Sequence, residues 1–177
     1  MISHLSLARR VRPCERLGRH MSRSEVRFLD FVVDGRPLLD TLTEHAAGYM
    51  DMVSVLWLAP AFDGDDDARG LLMGQGESPL PDGRTPLYVC PECGDLGCGA
   101  VTAAVEFSPG QVVWRDLGRQ TDYCDQVDHD AFSGIGPFVF ERAPYEDVLA
   151  TVPGLRARER HTAPGQGERR RRRLWRR

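Results

Sequence analysis

The chain of 177 residues is 41% hydrophobic and 28% charged, which is ordinary for a globular protein with one domain and terminal extensions. Its longest apolar run, over residues 52–61, is too short to cross a bilayer, so the composition argues against an integral membrane protein. The five cysteines are odd in number and three of them cluster, which argues against the disulfide framework of a secreted protein and favours a cytoplasmic one.

Charge is distributed very unevenly along the chain. Residues 1–20 carry five arginines against one acidic residue, and residues 155–177 carry ten against two. The intervening segment holds most of the acidic residues, so the net charge of −3 hides an acidic domain between two basic ends. This pattern predicts a basic extension over 1–23 that is disordered. The alternative is that translation begins at Met21 and that residues 1–20 are not part of the natural protein. A single acidic domain over 24–154 and a disordered arginine-rich tail over 155–177 follow.

The predicted elements of the first half are short. β-branched and aromatic residues favour strands, apolar residues at three-to-four-residue spacing favour helices, and Gly, Pro and Asp mark turns. These signals predict, in order, a strand over 26–33, a turn at Asp34-Gly35, an amphipathic helix from Leu38 to Gly48, a buried strand over 52–58, a solvated acidic loop over 63–67, and one or two helical turns over 68–73.

The second half is predicted to be built around a β-hairpin. Apolar residues alternate over 101–107, Pro109-Gly110 forms a turn, and residues 111–116 return. Around this hairpin the sequence predicts an irregular connection over 74–85, a strand over 87–89, a polar loop over 123–129, a strand over 138–140, and a helix over 143–152 that Pro153-Gly154 ends. Hairpins and short helices without regular strand–helix alternation predict an α+β fold with a mainly antiparallel sheet.

Three cysteines lie within ten residues, in the run Cys90-Pro91-Glu92-Cys93-Gly94-Asp95-Leu96-Gly97-Cys98-Gly99. A Cys-Pro-x-Cys-Gly turn directs both sulfurs to one point, as in zinc knuckles and rubredoxin-type sites, and Cys98 can supply a third sulfur. Zinc prefers four ligands, and the loop after the hairpin offers Cys124 and His129 as candidates for the fourth. The sequence therefore predicts a structural zinc site among Cys90, Cys93, Cys98, Cys124 and His129.

Three other interpretations of the cysteines stay open. An iron–sulfur cluster would need the distant Cys124 as its fourth ligand. A redox dithiol at Cys90 and Cys93 would make the protein a thiol-dependent oxidoreductase, although glycines and a strand follow the motif instead of the helix that usually lowers the first thiol's pKa. The cysteines could also be plain thiols in a tight glycine turn. No constellation of a catalytic acid, base or nucleophile is recognisable, so no catalytic residue is predicted.

The C-terminal arginines are a second candidate for function. Residues 169–173 are consecutive arginines, and Leu174-Trp175-Arg176-Arg177 follows them. Arginine binds phosphate and Trp175 could stack on a base, which would suit a nucleic acid partner. An acidic domain repels nucleic acid, however, so a solvated tail is the favoured interpretation.

The run from Leu87 to Val101, with Val112-Val113-Trp114-Arg115-Asp116 following, resembles a group of uncharacterised actinobacterial proteins. The resemblance covers roughly residues 25–152 and excludes both basic ends. It implies a bacterial cytosolic protein whose motif is Cys90, Cys93 and Cys98. Members are sometimes loosely labelled as oxidoreductases, and the resemblance implies no substrate.

The sequence thus predicts a small cytoplasmic α+β protein with a structural zinc site. It would act by binding a protein partner of unknown identity, through its acidic surface. The alternatives are a thiol-dependent oxidoreductase that uses Cys90 and Cys93 and a nucleic-acid-associated protein that uses the arginine-rich tail.

Overall fold

The computed structural model describes residues 1–16, 18, 22–46, 50–58 and 65–162. Short strands predominate among these residues, and four helices accompany them. In chain order the elements are β1 (Leu5–Arg12), β2 (Glu15–Arg16), β3 (Ser22–Arg23), β4 (Val26–Val33), β5 (Arg36–Pro37), α1 (Leu38–His45), β6 (Val53–Ser54), α2 (Asp65–Leu72), β7 (Thr85–Val89), β8 (Ala100–Phe107), β9 (Gln111–Thr121), β10 (Cys124–Asp128), β11 (Phe138–Glu141), α3 (Arg142–Ala150) and α4 (Val152–Thr162).

Two antiparallel sheets form the framework. The larger has the strand order β10-β9-β8-β7-β6, with β11 also paired to β9, and the smaller has the order β1-β4-β5. The segment after β6 joins them, because Leu29 N donates to Leu56 O at 2.8 Å while Val55 N donates to Leu87 O at 3.0 Å. The α+β prediction with a mainly antiparallel sheet is confirmed. None of the helices in the described part of the chain is both long and apolar enough to cross a membrane.

The predicted hairpin is confirmed as β8 and β9, which pair from Phe107 opposite Val112 to Ala100 opposite Gln120. The return strand continues to Thr121, five residues beyond the predicted end. A register shift between Thr102 and Ala104 lets the longer strand bend, as a β-bulge does. The extension brings the turn between β9 and β10 to the end of the sheet at which the connection from β7 to β8 lies.

Aromatic side chains fill the centre of the core around Trp114, which is completely buried. Its ring meets those of Phe31, Phe140 and Tyr145 edge to face, with centroids 5.2–6.0 Å apart. Trp114 Nε1 donates to the Tyr145 hydroxyl at 3.2 Å, and that hydroxyl donates to Leu72 O at 2.7 Å. The indole therefore ties β9 to α3 and to the end of α2 while its polar atom stays satisfied.

The prediction that order begins near Ser24 is wrong for residues 5–12. They form β1, which pairs with β4 along its whole length, from Leu5 opposite Val33 to Arg12 opposite Val26. The physical reason is charge complementarity: Arg10 pairs with Asp30 at 3.0 Å and Arg12 with Asp51 at 2.6 Å, and both acids belong to the central segment. The basic composition that suggested disorder is what docks this strand on the acidic domain.

The predicted helix over 143–152 is confirmed as α3, which ends at Ala150, but the prediction that disorder follows it is wrong as far as Thr162. The helix α4 begins at Val152, because a proline in the first turn loses no hydrogen bond that the helix needs. Arg156 is 5% exposed, and its Nε donates to Trp57 O at 2.7 Å. Residues 163–177, which contain the run of consecutive arginines, lie outside the described residues.

Three further segments differ from their predictions. The buried strand over 52–58 is reduced to β6, although residues 53–58 are all buried as predicted. The predicted acidic loop over 63–67 is the start of α2 from Asp65 onward, and the rest of it lies outside the described residues. The predicted polar loop over 123–129 contains β10, because backbone pairing to β9 does not require the apolar alternation by which strands are recognised.

A buried carboxyl lies under the small sheet. Asp30 on β4 is completely buried, accepts a hydrogen bond from the Tyr88 hydroxyl at 2.6 Å, and pairs with Arg10 at 3.0 Å. Burial raises the pKa of Asp30, although Tyr88 and Arg10 oppose the shift. Burial, together with the neighbouring Asp30 charge, raises the pKa of Tyr88 well above its usual value.

These buried phenols make the protein sensitive to alkali. Because the folded-state pKa values of Tyr88 and Tyr145 lie above the unfolded value of about 10, their contribution to stability is complete below that pH and is lost as the pH rises above it. We expect cooperative unfolding above about pH 10.5, with tyrosinate absorbance from both residues appearing together with the loss of circular dichroism. Ionisation of Tyr88 and Tyr145 near pH 10 with an unchanged dichroism spectrum would contradict this.

Candidate metal centre

The connection between β7 and β8 carries the cysteine motif. Cys90 directly follows β7, and the turn that begins there closes when Gly94 N donates to Cys90 O at 2.9 Å. Gly94 has φ 68°, a left-handed conformation that glycine adopts without the steric cost of a side chain. A short 3₁₀ turn over Leu96–Cys98 then brings the chain back to β8. The tight turn that the sequence predicts at this point is therefore present.

The turn brings three sulfurs together. The Sγ atoms of Cys90, Cys93 and Cys98 all lie within 4.8 Å of one another, and those of Cys93 and Cys98 are 3.4 Å apart. No pair is joined in a disulfide; Cys90 is half-buried, whereas Cys93 and Cys98 are exposed. Three thiols at this spacing could hold a metal ion.

The polarity of the turn favours a thiolate at Cys90. Burial raises the pKa of the Cys90 thiol, but hydrogen bonds from the backbone N–H groups of Glu92 and Cys93 outweigh burial and lower it. At Cys93, burial and the neighbouring Cys98 and Cys90 sulfurs raise the pKa to about 12. One of the three thiols therefore ionises readily, whereas ionisation of a second or third is unfavourable. A bound cation would make it favourable, since the cation stabilises each additional thiolate.

Glu92, inside the motif, fixes the turn to the N-terminal part of the chain. Its carboxylate accepts hydrogen bonds from Arg12 Nη1 at 2.6 Å, Ser24 N at 3.0 Å and Ser24 Oγ at 2.9 Å. The Arg12 guanidinium is 8% exposed and also forms a bidentate pair with Asp51 at 2.9 and 2.6 Å. The hydrogen bond from Arg12 is the main cause that lowers the pKa of Glu92. The cysteine turn is therefore held in place before any metal binds.

The second half of the motif is stabilised by its own carboxyl group. Asp95 caps the 3₁₀ turn, since its Oδ1 accepts from Gly97 N at 2.6 Å. A Cβ atom placed on Gly97 would lie 2.9 Å from that oxygen and 3.4 Å from Asp122 Oδ1 in the β9–β10 turn. Glycine at this position lets the β9–β10 turn approach the cysteine motif.

Cys124 and His129, the two candidates for a fourth ligand, are not brought into the cluster. Both are described residues, and neither belongs to a group of ligand atoms that all lie within 4.8 Å of one another. Cys124 pairs with Thr121 at the start of β10. His129 Nδ1 lies 2.9 Å from Leu117 O, so that nitrogen holds the ring against β9. Of the five predicted metal ligands, the structure thus brings Cys90, Cys93 and Cys98 together.

A cleft of about 780 Å³ opens beside the cysteine turn. Trp57, Leu71, Pro86 and Leu96 provide apolar parts of its wall, and Cys93 lies at its edge. The remaining lining consists of Val55, Asp67, Ala68, Gly70, Gln75, Gly76, Glu77, Pro79, Val89, Gly94 and Asp95. Its size is within the range of pockets that hold small ligands.

Sequence reasoning missed the residues that support the turn: Arg12, Ser24 and Asp51. The contacts of Arg12 with Asp51, Ser24 with Glu92 and Arg12 with Glu92 span 39, 68 and 80 positions, and nothing in the local sequence of these residues marks them. The one available signal was Glu92, a charged residue between two ligand candidates, which required a cationic partner if the turn packed against the protein.

A scan against protein-family models, a search of curated proteins and a search of solved structures each found no match. The resemblance of the cysteine motif to actinobacterial proteins stays a prediction, and the class of site rests on the chemistry of the three sulfurs.

Proposed function

We propose that the protein binds one zinc ion through Cys90, Cys93 and Cys98, and that it acts by binding a partner protein in a reducing, cytoplasmic environment. The observation that carries this proposal is the convergence of three free sulfurs within 4.8 Å of one another. Thiolates favour soft and borderline ions such as Zn²⁺, Cu⁺ and iron in clusters. Zinc fits best, because an iron–sulfur cluster bound by cysteines needs four of them and Cys124 is outside the group.

The metal would have a structural effect. It would fix the connection between two central strands of the larger sheet, and that connection is tied through Glu92 to Arg12 and Ser24 of the N-terminal segment. A metal that holds this turn therefore supports the junction of both sheets. When bound, it would offset most of the negative charge of three thiolates and cross-link their backbones.

Metal analysis of the full chain tests the proposal. We expect about one zinc per chain in the purified protein and almost none in Cys93→Ser, because two remaining thiolates bind zinc weakly. The variant should also melt at least about 5 °C lower, since it loses the stabilisation that a ligand gives to the folded state.

Cys14→Ser is the matched control, because Cys14 is an exposed free cysteine that does not belong to the cluster. It should keep its zinc and its melting temperature. Wild-type protein purified under reducing conditions without any metal, or Cys93→Ser with an undiminished zinc content, would contradict the proposal.

A thiol-dependent oxidoreductase is the second candidate. It is favoured by the lowered pKa of Cys90 and by the exposed Cys93 beside it. The Cys90 thiolate would attack a substrate disulfide, and Cys93 would release the reduced product by forming the Cys90–Cys93 disulfide. This candidate predicts metal-free protein in which iodoacetamide alkylates Cys90 rapidly, whereas the zinc proposal predicts that a chelator is needed before alkylation. The nucleic acid alternative depends on residues outside the described part of the chain and stays a prediction.

A further inference from the structure

The described residues supply three ligands for an ion that takes four. The three cysteine sulfurs are the group of ligating atoms that the described residues bring together. Both carboxyl groups inside the motif are already engaged: Asp95 Oδ1 accepts from Gly97 N at 2.6 Å, and Glu92 accepts from Arg12 and Ser24. Tetrahedral zinc requires one more donor, and sites with three protein ligands accept it from outside.

The cleft gives such a donor a route. Cys93 is exposed and contributes to the cleft wall together with Gly94 and Asp95, so the cleft reaches one of the three cysteines of the cluster. Its volume of about 780 Å³ exceeds what a single side chain needs. The apolar wall formed by Trp57, Leu71 and Leu96 would exclude water from a donor that enters.

Charge selects the chemical class of the donor. Zn²⁺ with three thiolates has a net negative charge, and Asp67, Glu77 and Asp95 add carboxyl groups to the cleft, whose described lining contains no arginine or histidine. An anionic donor is repelled by this field, whereas a neutral one is not. Among the protein side chains that commonly bind zinc, the neutral donor is the imidazole of histidine.

We propose that a neutral imidazole from outside the described residues, supplied by a histidine side chain of a partner protein, enters this cleft and completes the coordination of the metal. This inference rests on the proposed zinc site and specifies its partner. Partner binding would depend on the metal, and the metal would be held more tightly in the complex.

Cobalt substitution of the full chain tests the inference, because the visible absorption of Co²⁺ reports its donor set. We expect imidazole at millimolar concentration to shift the Co²⁺–thiolate bands and to saturate, and azide to shift them only at much higher concentrations. In the double variant Asp67→Asn, Glu77→Gln the azide affinity should rise about fivefold, the effect of removing about 1 kcal/mol of repulsion. Glu141→Gln, an exposed carboxyl that does not line the cleft, is the matched control.

Two results would overturn the inference while leaving the metal site standing. One is an unchanged spectrum with imidazole, together with altered bands in Cys124→Ser, His129→Ala or His20→Ala, which would locate the fourth ligand in the chain itself. The other is azide binding as tight as imidazole binding in the wild type. A full chain that develops no cobalt–thiolate absorption would instead overturn the metal site, and this inference with it.

Discussion

Deletion of residues 1–20 is expected to unfold the protein and to abolish metal retention. The deletion removes β1, which pairs along eight residues with β4 and contributes the buried Leu5 to the core. It also removes Arg10 from the buried Asp30, and Arg12 from the carboxylate of Glu92 in the cysteine turn. Removing one partner of a buried ion pair costs about 3–5 kcal/mol. That cost, together with the loss of the backbone hydrogen bonds between β1 and β4, is comparable with the total stability of about 5–15 kcal/mol that a domain possesses.

Thermal melting followed by circular dichroism, with zinc analysis alongside, measures this effect. Val11→Ser in the full chain is the control, because Val11 lies on the same strand with 56% of its surface exposed and should change stability by no more than about 0.5 kcal/mol. A deleted protein that melts cooperatively within a few degrees of the full chain would show that β1 is not part of the stable fold.

Substitution of Trp114 by alanine is expected to cost about 3–5 kcal/mol, as for other buried aromatic residues cut back to alanine. The indole is completely buried and is surrounded by Phe31, Phe140 and Tyr145, so the cavity that it leaves cannot collapse without moving two strands and a helix. The Tyr145 hydroxyl also loses the hydrogen bond that Trp114 Nε1 donates to it. For a chain of this size the melting temperature should fall by roughly 10–15 °C.

Trp114→Phe separates the two contributions. It keeps an aromatic ring against Phe31 but removes the donor to Tyr145, so we expect about half of the alanine effect or less. Urea unfolding of the wild type and both variants provides the free energies. Equal costs for the two substitutions would mean that the hydrogen bond, and not the packing of the ring, dominates at this position.

The cysteine motif shows which part of the metal site can be predicted from local sequence. Cys90 and Cys98 are eight positions apart and Cys93 lies between them, so the local turn alone brings the three sulfurs together. The prediction of a three-sulfur cluster therefore needs no tertiary information. The fourth ligand could not be found in the same way. The return of the hairpin toward the motif predicts Cys124 and His129 as candidates. Whether their side chains meet the sulfurs depends on the length of the returning strand and on the bulge in the hairpin, which the sequence does not show.

The structure of the two ends of the chain, in contrast, is not predictable from local sequence. The arginines of β1 do not predict order, and their partners are acids far away in sequence, such as Asp30 for Arg10 and Asp51 for Arg12. On α4 it is the acid Glu159 that pairs with distant arginines, Arg9 and Arg27. Net charge by segment indicated that basic ends flank an acidic domain but not that the two attract and dock. Complementarity is a property of surfaces, and surfaces exist only once the chain has folded.

Local residue patterns are sufficient to predict the antiparallel α+β class, the β8–β9 hairpin, helix α1 and the three-cysteine turn, because each depends on residues close together in the chain. They do not reveal that β1 completes the small sheet, that Arg12 and Ser24 hold the cysteine turn through Glu92, or that a cleft reaches Cys93. Hydrophobic periodicity and turn geometry act over a few residues, whereas ion pairs, strand pairing and clefts join segments that only the folded chain brings into contact.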